Sequence, residues 1–256
     1  MTAPLQLPST LPNRLRSISV IDIRSQLPVN PNYTWADIKM RSINDLTTIA
    51  IHHDAWPKAT SGRFNDLELA REIARDHVAS KKVRPTGDPG FPYDCWIRNG
   101  KIYICNDILP IKWAVGNNND YTVHICVSGD YANYDGLTDT DRNALLAAFA
   151  MYKAQMPVYK AIKGHKELNP SQCPGIDMNR LRSDIMALEL EIERSQSLDK
   201  KQELAYRMAN QVLYLQRMAQ NGVNSTGKPV SEGERKWALT ELMKLEQPFR
   251  EYGWLD

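Results

Sequence analysis

The pair Asn99-Gly100 lies between two short apolar runs, residues 93–98 (YDCWIR) and 101–105 (KIYIC). Both central positions of a two-residue hairpin need positive φ, which Asn and Gly tolerate. This pair therefore commits the chain to an antiparallel strand pair near its middle. The segments around it add to that start. Residues 47–51 (TTIAI) form a β-branched run suited to a buried strand, and the run ends in His52-His53-Asp54. Residues 66–79 put Leu67, Ala70, Ile73, Ala74 and His77 on one helical face, with acidic residues in the first turn. Residues 121–127 (YTVHICV) predict another strand, closed by Ser128-Gly129-Asp130. Thr138 is the expected N-cap, with Asp141 at the third position of a capping box, of a helix through Leu145, Leu146, Phe149 and Tyr152. Residues 176–193 give a further helix. Strand, helix, hairpin, strand, helix, helix is the order of an α/β fold, with a mixed central β-sheet flanked by helices. Residues 1–45, rich in proline, read as an extended arm with short helical turns packed on that domain.

Beyond about residue 195 the pattern changes. Leu204, Met208, Val212, Leu215 and Met218 recur at helical spacing, residues 221–229 break the helix, and Trp237, Leu242 and Leu245 mark another helix before Pro248. The domains expected are 1–190, with the N-terminal arm, and 191–256, a small all-α C-terminal appendage. The apolar stripe of the appendage is the packing face of a helical bundle, a wall-binding surface or a dimerisation helix, and the sequence sets no oligomeric state.

Composition excludes some classes. With 42% hydrophobic residues the chain can bury a core, and a formal net charge of +2 is no evidence for a nucleic-acid binder, which needs a concentrated basic face. No stretch is apolar over the roughly 18–20 residues that membrane insertion requires. Cys95, Cys105 and Cys126 alternate with apolar residues in strand-like segments, as free, partly buried thiols do.

Histidine is scarce, with five in the chain, and two stand at suggestive places. His52 ends a predicted central strand, where a side chain can face a cleft. His165 lies in residues 164–175 (GHKELNPSQCPG), a polar loop held by two prolines and two glycines. A loop of this length can fold His165 and Cys173 back to one point. Two imidazoles and one thiolate are a suitable zinc set that leaves a fourth position open, the catalytic rather than the structural pattern. The bland alternative for His52 is a hydrogen-bonded core histidine.

The segments IHHDA, FPYDCWI, WAVGNNNDYTVHICVSGD and GHKELNPSQCPG, in this order, resemble the zinc-dependent N-acetylmuramoyl-L-alanine amidases. That family includes phage lysozyme-like amidases, endolysins among them, and animal peptidoglycan recognition proteins. The resemblance spans roughly residues 30–185. It implies zinc held by His52, His165 and Cys173, and bacterial peptidoglycan as substrate, cut between N-acetylmuramic acid and L-alanine. It implies that Tyr93 hydrogen-bonds the reacting centre. Ser171 stands where the family carries lysine or threonine, keeping a hydroxyl donor without a lysine's charge. Cys126 stands where some members carry a glutamate base, so the chain resembles the branch that relies on tyrosine. Asn117, Asn118 and Asn119 resemble a groove-lining loop, and Trp56 and Trp113 are candidates for stacking on sugar or for plain packing. His53 should point away from the cleft, His77 should be a satisfied core or boundary residue, and His124 is expected to be solvent-facing or structural. Glu167 either orients loop amides or is a solvated charge.

The first residues show no basic stretch followed by an unbroken apolar run. The expectation is synthesis in a host cytoplasm without a signal peptide, and action on the cell wall after release as a phage lysin. The alternatives are a cytoplasmic wall-recycling amidase and a non-catalytic peptidoglycan-binding module.

Overall fold

The computed structural model describes residues 5–80, 85–224 and 226–251, with the side chains of 208 and 245–251 outside the described set. Six strands form one sheet: β1 (Val20–Asp22), β2 (Thr48–His53), β3 (Cys95–Arg98), β4 (Lys101–Ile104), β5 (Thr122–Val127) and β6 (Ala161–Gly164). Their order is β1-β4-β3-β5-β2-β6. Only β3 and β4 pair antiparallel; the other neighbours are parallel, so the sheet is mixed. The helices are α1 (Asn13–Arg16), α2 (Lys58–Ser61), α3 (Asp66–Ala79), α4 (Asp139–Lys153), α5 (Met178–Asn221) and α6 (Glu232–Glu251).

The hairpin turn is the one the sequence requires, with Asn99 at φ 51° and Gly100 at φ 69°. α3 starts at an Asn65 cap whose side chain accepts from the Glu68 amide, while Glu68 answers to the Asn65 amide. At α4 the box is half formed. Thr138 accepts from the Asp141 amide, but the Asp141 carboxylate turns to the Gly100 amide and to Lys58.

Period two sorts the strands onto two faces. Ile49, Ile51, Ile97, Ile102, Ile104, Val123, Ile125 and Val127 join α4 in one core. Trp96, Tyr103 and Cys126 face the other way, onto Leu69, Ala70, Ile73 and Ala74 of α3. β2 and β5 are buried at all six positions, as central strands covered on both faces must be.

Two strands differ from the sequence reading. The N-terminal segment is not only an arm, because β1 pairs with β4 and Leu11 and Leu15 enter the main core. β6 runs beside β2 with Ile51 opposite Gly164, and so delivers His165 directly beyond the sheet. Both strands are three or four residues long, too short for alternation to show.

The chain divides into two compact units, Met1–Ile192 and Glu193–Asp256. The expected break between helices near residue 195 is absent: α5 continues to Asn221, since residues 193–203 hold no glycine or proline. α6 likewise passes Pro248 rather than stopping before it. The second unit buries Leu215, Met218, Ala219 and Ala238. Of the predicted stripe, Leu204 is exposed and Val212 half-buried, and the side chains of Met208 and Leu245 lie outside the described residues. No helix among the described residues is long and apolar enough to cross a membrane.

Candidate metal centre

His52 is the fifth residue of β2 and is 1% exposed. It shares its sheet face with Thr48 and Ala50, and Cys126 of β5 is its register partner. His165 opens a 3₁₀ turn immediately after β6. Cys173 returns on the loop that follows. The metal-binding atoms of His52, His165 and Cys173 all lie within 4.8 Å of one another. The His52 and His165 ring centroids are 4.9 Å apart, and Cys173 Sγ is 3.8 Å from His52 Nδ1. The three residues that the sequence singled out as one donor set are thus brought together from two strand ends and a loop.

Each donor has its own support. The Cys173 sulfur accepts a hydrogen bond from the His53 amide at 3.3 Å. The Cys173 amide donates to Ser171 Oγ at 3.0 Å, and the Cys173 carbonyl accepts from the Lys166 amide at 2.8 Å. Gly175 follows at φ 70°, where a Cβ would stand 2.3 Å from the backbone of Tyr131 and Ala132. Glu167 orients the loop: its carboxylate accepts from the Gly164 amide at 2.7 Å and pairs with Arg182.

Burial governs the electrostatics. His52 and His124 are held well below the usual imidazole range, first by burial and then by neighbouring imidazoles, joined at His124 by Arg41 and Lys112. His165 and His53 are lowered for the same first reason. All four rings are therefore neutral at pH 7, the form that binds a metal. Without a metal, burial pushes the Cys173 thiol up to about 12, against the pull of the His53 amide. Two neutral imidazoles and a thiol that a bound cation deprotonates fit zinc, with three ligands rather than the closed four of a structural site.

Tyr93 sits in the bend two residues before β3, not in the strand itself. Its ring lies 4.8 Å from that of His52, and its hydroxyl points to the His53 carbonyl at 3.5 Å. Burial among buried thiols and carboxyls drives its pKa well up, so it stays a hydroxyl donor. Ser171 is exposed on the loop. Cys126 is fully buried and held as a neutral thiol by burial, so it supplies no base.

His124 corrects the sequence reading in its solvent-facing form. It is fully buried, with Nδ1 3.2 Å from His52 Nε2 and Nε2 3.1 Å from Thr122 Oγ1. Residues 124 and 126 are two apart and share the His52 face. The signal was present as a polar residue in the middle of a strand buried on both faces. His53 turns the other way, as expected, and its Nδ1 accepts from the Tyr131 amide at 3.2 Å. His77 pairs with Asp88 at 2.9 Å, at the edge of the α3 core. Asn118 and Asn119 hold backbone: Asn118 Nδ2 donates to the Leu168 carbonyl and Asn119 Oδ1 accepts from the Ala114 and Val115 amides. Asn117 is exposed. Trp56 packs edge-on to Phe64, and Trp113 edge-on to Trp35.

Neither family models nor curated sequences give a match to this chain. Several solved structures are similar to it. The LysCS endolysin, an N-acetylmuramoyl-L-alanine amidase from Clostridium intestinale URNW, is 19% identical with a TM-score of 0.48, over 65% of this chain and 95% of that one. The Ph2119 endolysin from Thermus scotoductus MAT2119 bacteriophage Ph2119 is 19% identical with a TM-score of 0.48, over 65% and 98%. Drosophila peptidoglycan recognition protein SD is 18% identical with a TM-score of 0.48, over 62% and 89%. With TM-scores below 0.5 these are likenesses only.

Proposed function

We propose that this protein is a zinc-dependent hydrolase that cuts the amide between N-acetylmuramic acid and L-alanine of bacterial peptidoglycan, as a phage-type lysin. The observation that carries the reading is the convergence of His52, His165 and Cys173 within 4.8 Å. Zinc in such a site is a Lewis acid toward a carbonyl and makes hydroxide available at neutral pH. His52 and His165 would hold it as neutral donors, and Cys173 as a thiolate kept in place by the His53 amide.

The remaining side chains define what the protein does to the amide. Tyr93, protonated and beside His52, would donate to an oxygen gaining negative charge. Donors of this kind are typically worth about 3–4 kcal/mol. Ser171 accepts from the Cys173 amide and keeps its own proton for a substrate oxygen. The bond assigned follows from the resemblance of the four sequence segments to the zinc amidases. In this reading residues 1–190 carry the reaction, and the helical residues 191–256 hold the enzyme on the wall after its release from the cytoplasm where it is made.

Digestion of purified peptidoglycan followed by mass spectrometry tests the reading. Expected products are stem peptides with a free L-alanine amine and glycans with free lactyl groups, absent with chelator and restored by zinc. Binding to wall without such products would instead favour a non-catalytic module.

A further inference from the structure

Thr122, His124 and His52 form a line of hydrogen bonds inside the sheet, and its direction can be worked out. Thr122 Oγ1 lies 2.9 Å from the Asn118 carbonyl, which can only accept, so the single hydroxyl proton is spent there. Thr122 Oγ1 must then accept from His124 Nε2, 3.1 Å away. A neutral His124 carrying its proton on Nε2 has an unprotonated Nδ1, and that atom faces His52 Nε2 at 3.2 Å. His52 must therefore carry its proton on Nε2. Its Nδ1 lone pair is left free, and Nδ1 is the atom 3.8 Å from Cys173 Sγ. Every other assignment sets two like atoms of this line against each other, which inside the buried His52–His124 pair costs about 1–3 kcal/mol.

The line is anchored at both ends. The His124 amide donates to Asp94 at 2.7 Å, and the Asp94 amide donates to the His124 carbonyl at 3.0 Å. Asp94 is itself paired at 2.6 Å with Lys112, and both are fully buried. At the far end, the Asn118 side chain donates at 2.7 Å to the Leu168 carbonyl, three residues after His165. A histidine that binds metal through one ring nitrogen and donates the N–H of the other to a fixed acceptor is the usual way a metal ligand is oriented. Here the acceptor is another histidine, itself fully buried.

We propose that His124 and Thr122 are positioning residues for the metal centre: they fix His52 as the tautomer that presents Nδ1 to the metal. This rests on the zinc reading above for its purpose, but the proton order holds in the zinc-free protein too.

The test uses the full chain and two readouts. Zinc affinity is measured by competition with a chelator, and the His52 tautomer by ¹⁵N chemical shifts of the zinc-free protein. Wild type is expected to show His52 protonated on Nε2. His124→Phe should mix the tautomers and weaken zinc by roughly 10–100-fold. His124→Asn, which keeps an oxygen acceptor near the Nδ1 position, should recover most of that affinity. Thr122→Val, nearly equal in shape, frees the His124 proton to change sides and should mix the tautomers even if His124→Phe fails to fold. An unchanged His52 tautomer in Thr122→Val, or His124→Phe with wild-type zinc affinity, overturns the proposal. Wild type that shows the Nε2 proton but binds no zinc supports the proton order and overturns the zinc reading instead.

Discussion

The two halves of the site are held by different means. His52 comes from the sheet: it is on a central strand, 1% exposed, with His124 and Thr122 behind it in a closed set of hydrogen bonds. Cys173 comes from a loop and is placed by backbone contacts, namely the His53 amide at its sulfur, the Ser171 hydroxyl at its amide and the close approach of Gly175 to Tyr131. A strand can preset a ring through side chains on the same face, because period two repeats them at fixed spacing. A loop has no such repeat, so its ligand depends on local turns and on a glycine where no other residue fits. The sheet half should therefore control which atom binds, and the loop half whether the third donor arrives at all.

The largest effect expected is at the bend before β3, where Tyr93 stacks beside the sheet-held His52. Tyr93→Phe should keep the metal and lower turnover by roughly 10²–10³-fold. Steady-state release of L-alanine amines, with zinc content measured in parallel, checks this, and unchanged turnover would remove Tyr93 from the reaction. Next comes the loop. Gly175→Ala puts a Cβ into the Tyr131–Ala132 backbone from a left-handed conformation, and should cost about 3 kcal/mol of stability in urea unfolding. A mutant as stable as wild type would mean that the loop is not fixed by that approach.

Acid separates the halves more finely. The folded rings of His52, His53, His124 and His165 titrate below their unfolded value near 6.5. Between those values the unfolded chain binds more protons, so zinc-free stability is full above about pH 6.5 and falls as pH drops below it. Each ring contributes a slope of about 1.4 kcal/mol per pH unit until its folded value is passed. The buried sheet pair, being lowered further, should continue to titrate at pH values where His165 has finished. Urea midpoints from pH 7 to 4 check this; a flat profile would contradict the burial of these rings. The smallest effect expected is Ser171→Ala, which removes one acceptor from the Cys173 amide at about 1 kcal/mol, seen as faster zinc loss to chelator.

The same contrast decides what could be read from the sequence. The hairpin at Asn99-Gly100, the buried strands and α3 carry their own signals, in turn chemistry, β-branching and helical period. The donor set could be named because His52 ends a strand and the 164–175 segment is stiff and polar. β1 and β6 were not legible, because three or four residues show no periodicity and their pairing is tertiary. His124 was legible in principle, as a polar residue two positions from Cys126. Its partner was not, because the pairing of Thr48 with Thr122 that sets β2 beside β5 is a register fixed only by folding. Tyr93 and Ser171 were named from family resemblance, and the structure places the first against His52 and the second against the Cys173 amide.

The central claim is that a strand end and a loop meet to hold one metal. Native mass spectrometry of the wild-type chain and of Cys173→Ser, each after zinc loading and desalting, tests it most directly. One zinc per wild-type chain and none in Cys173→Ser is the result predicted. A wild-type chain without zinc, or a variant that retains it in full, would contradict the account.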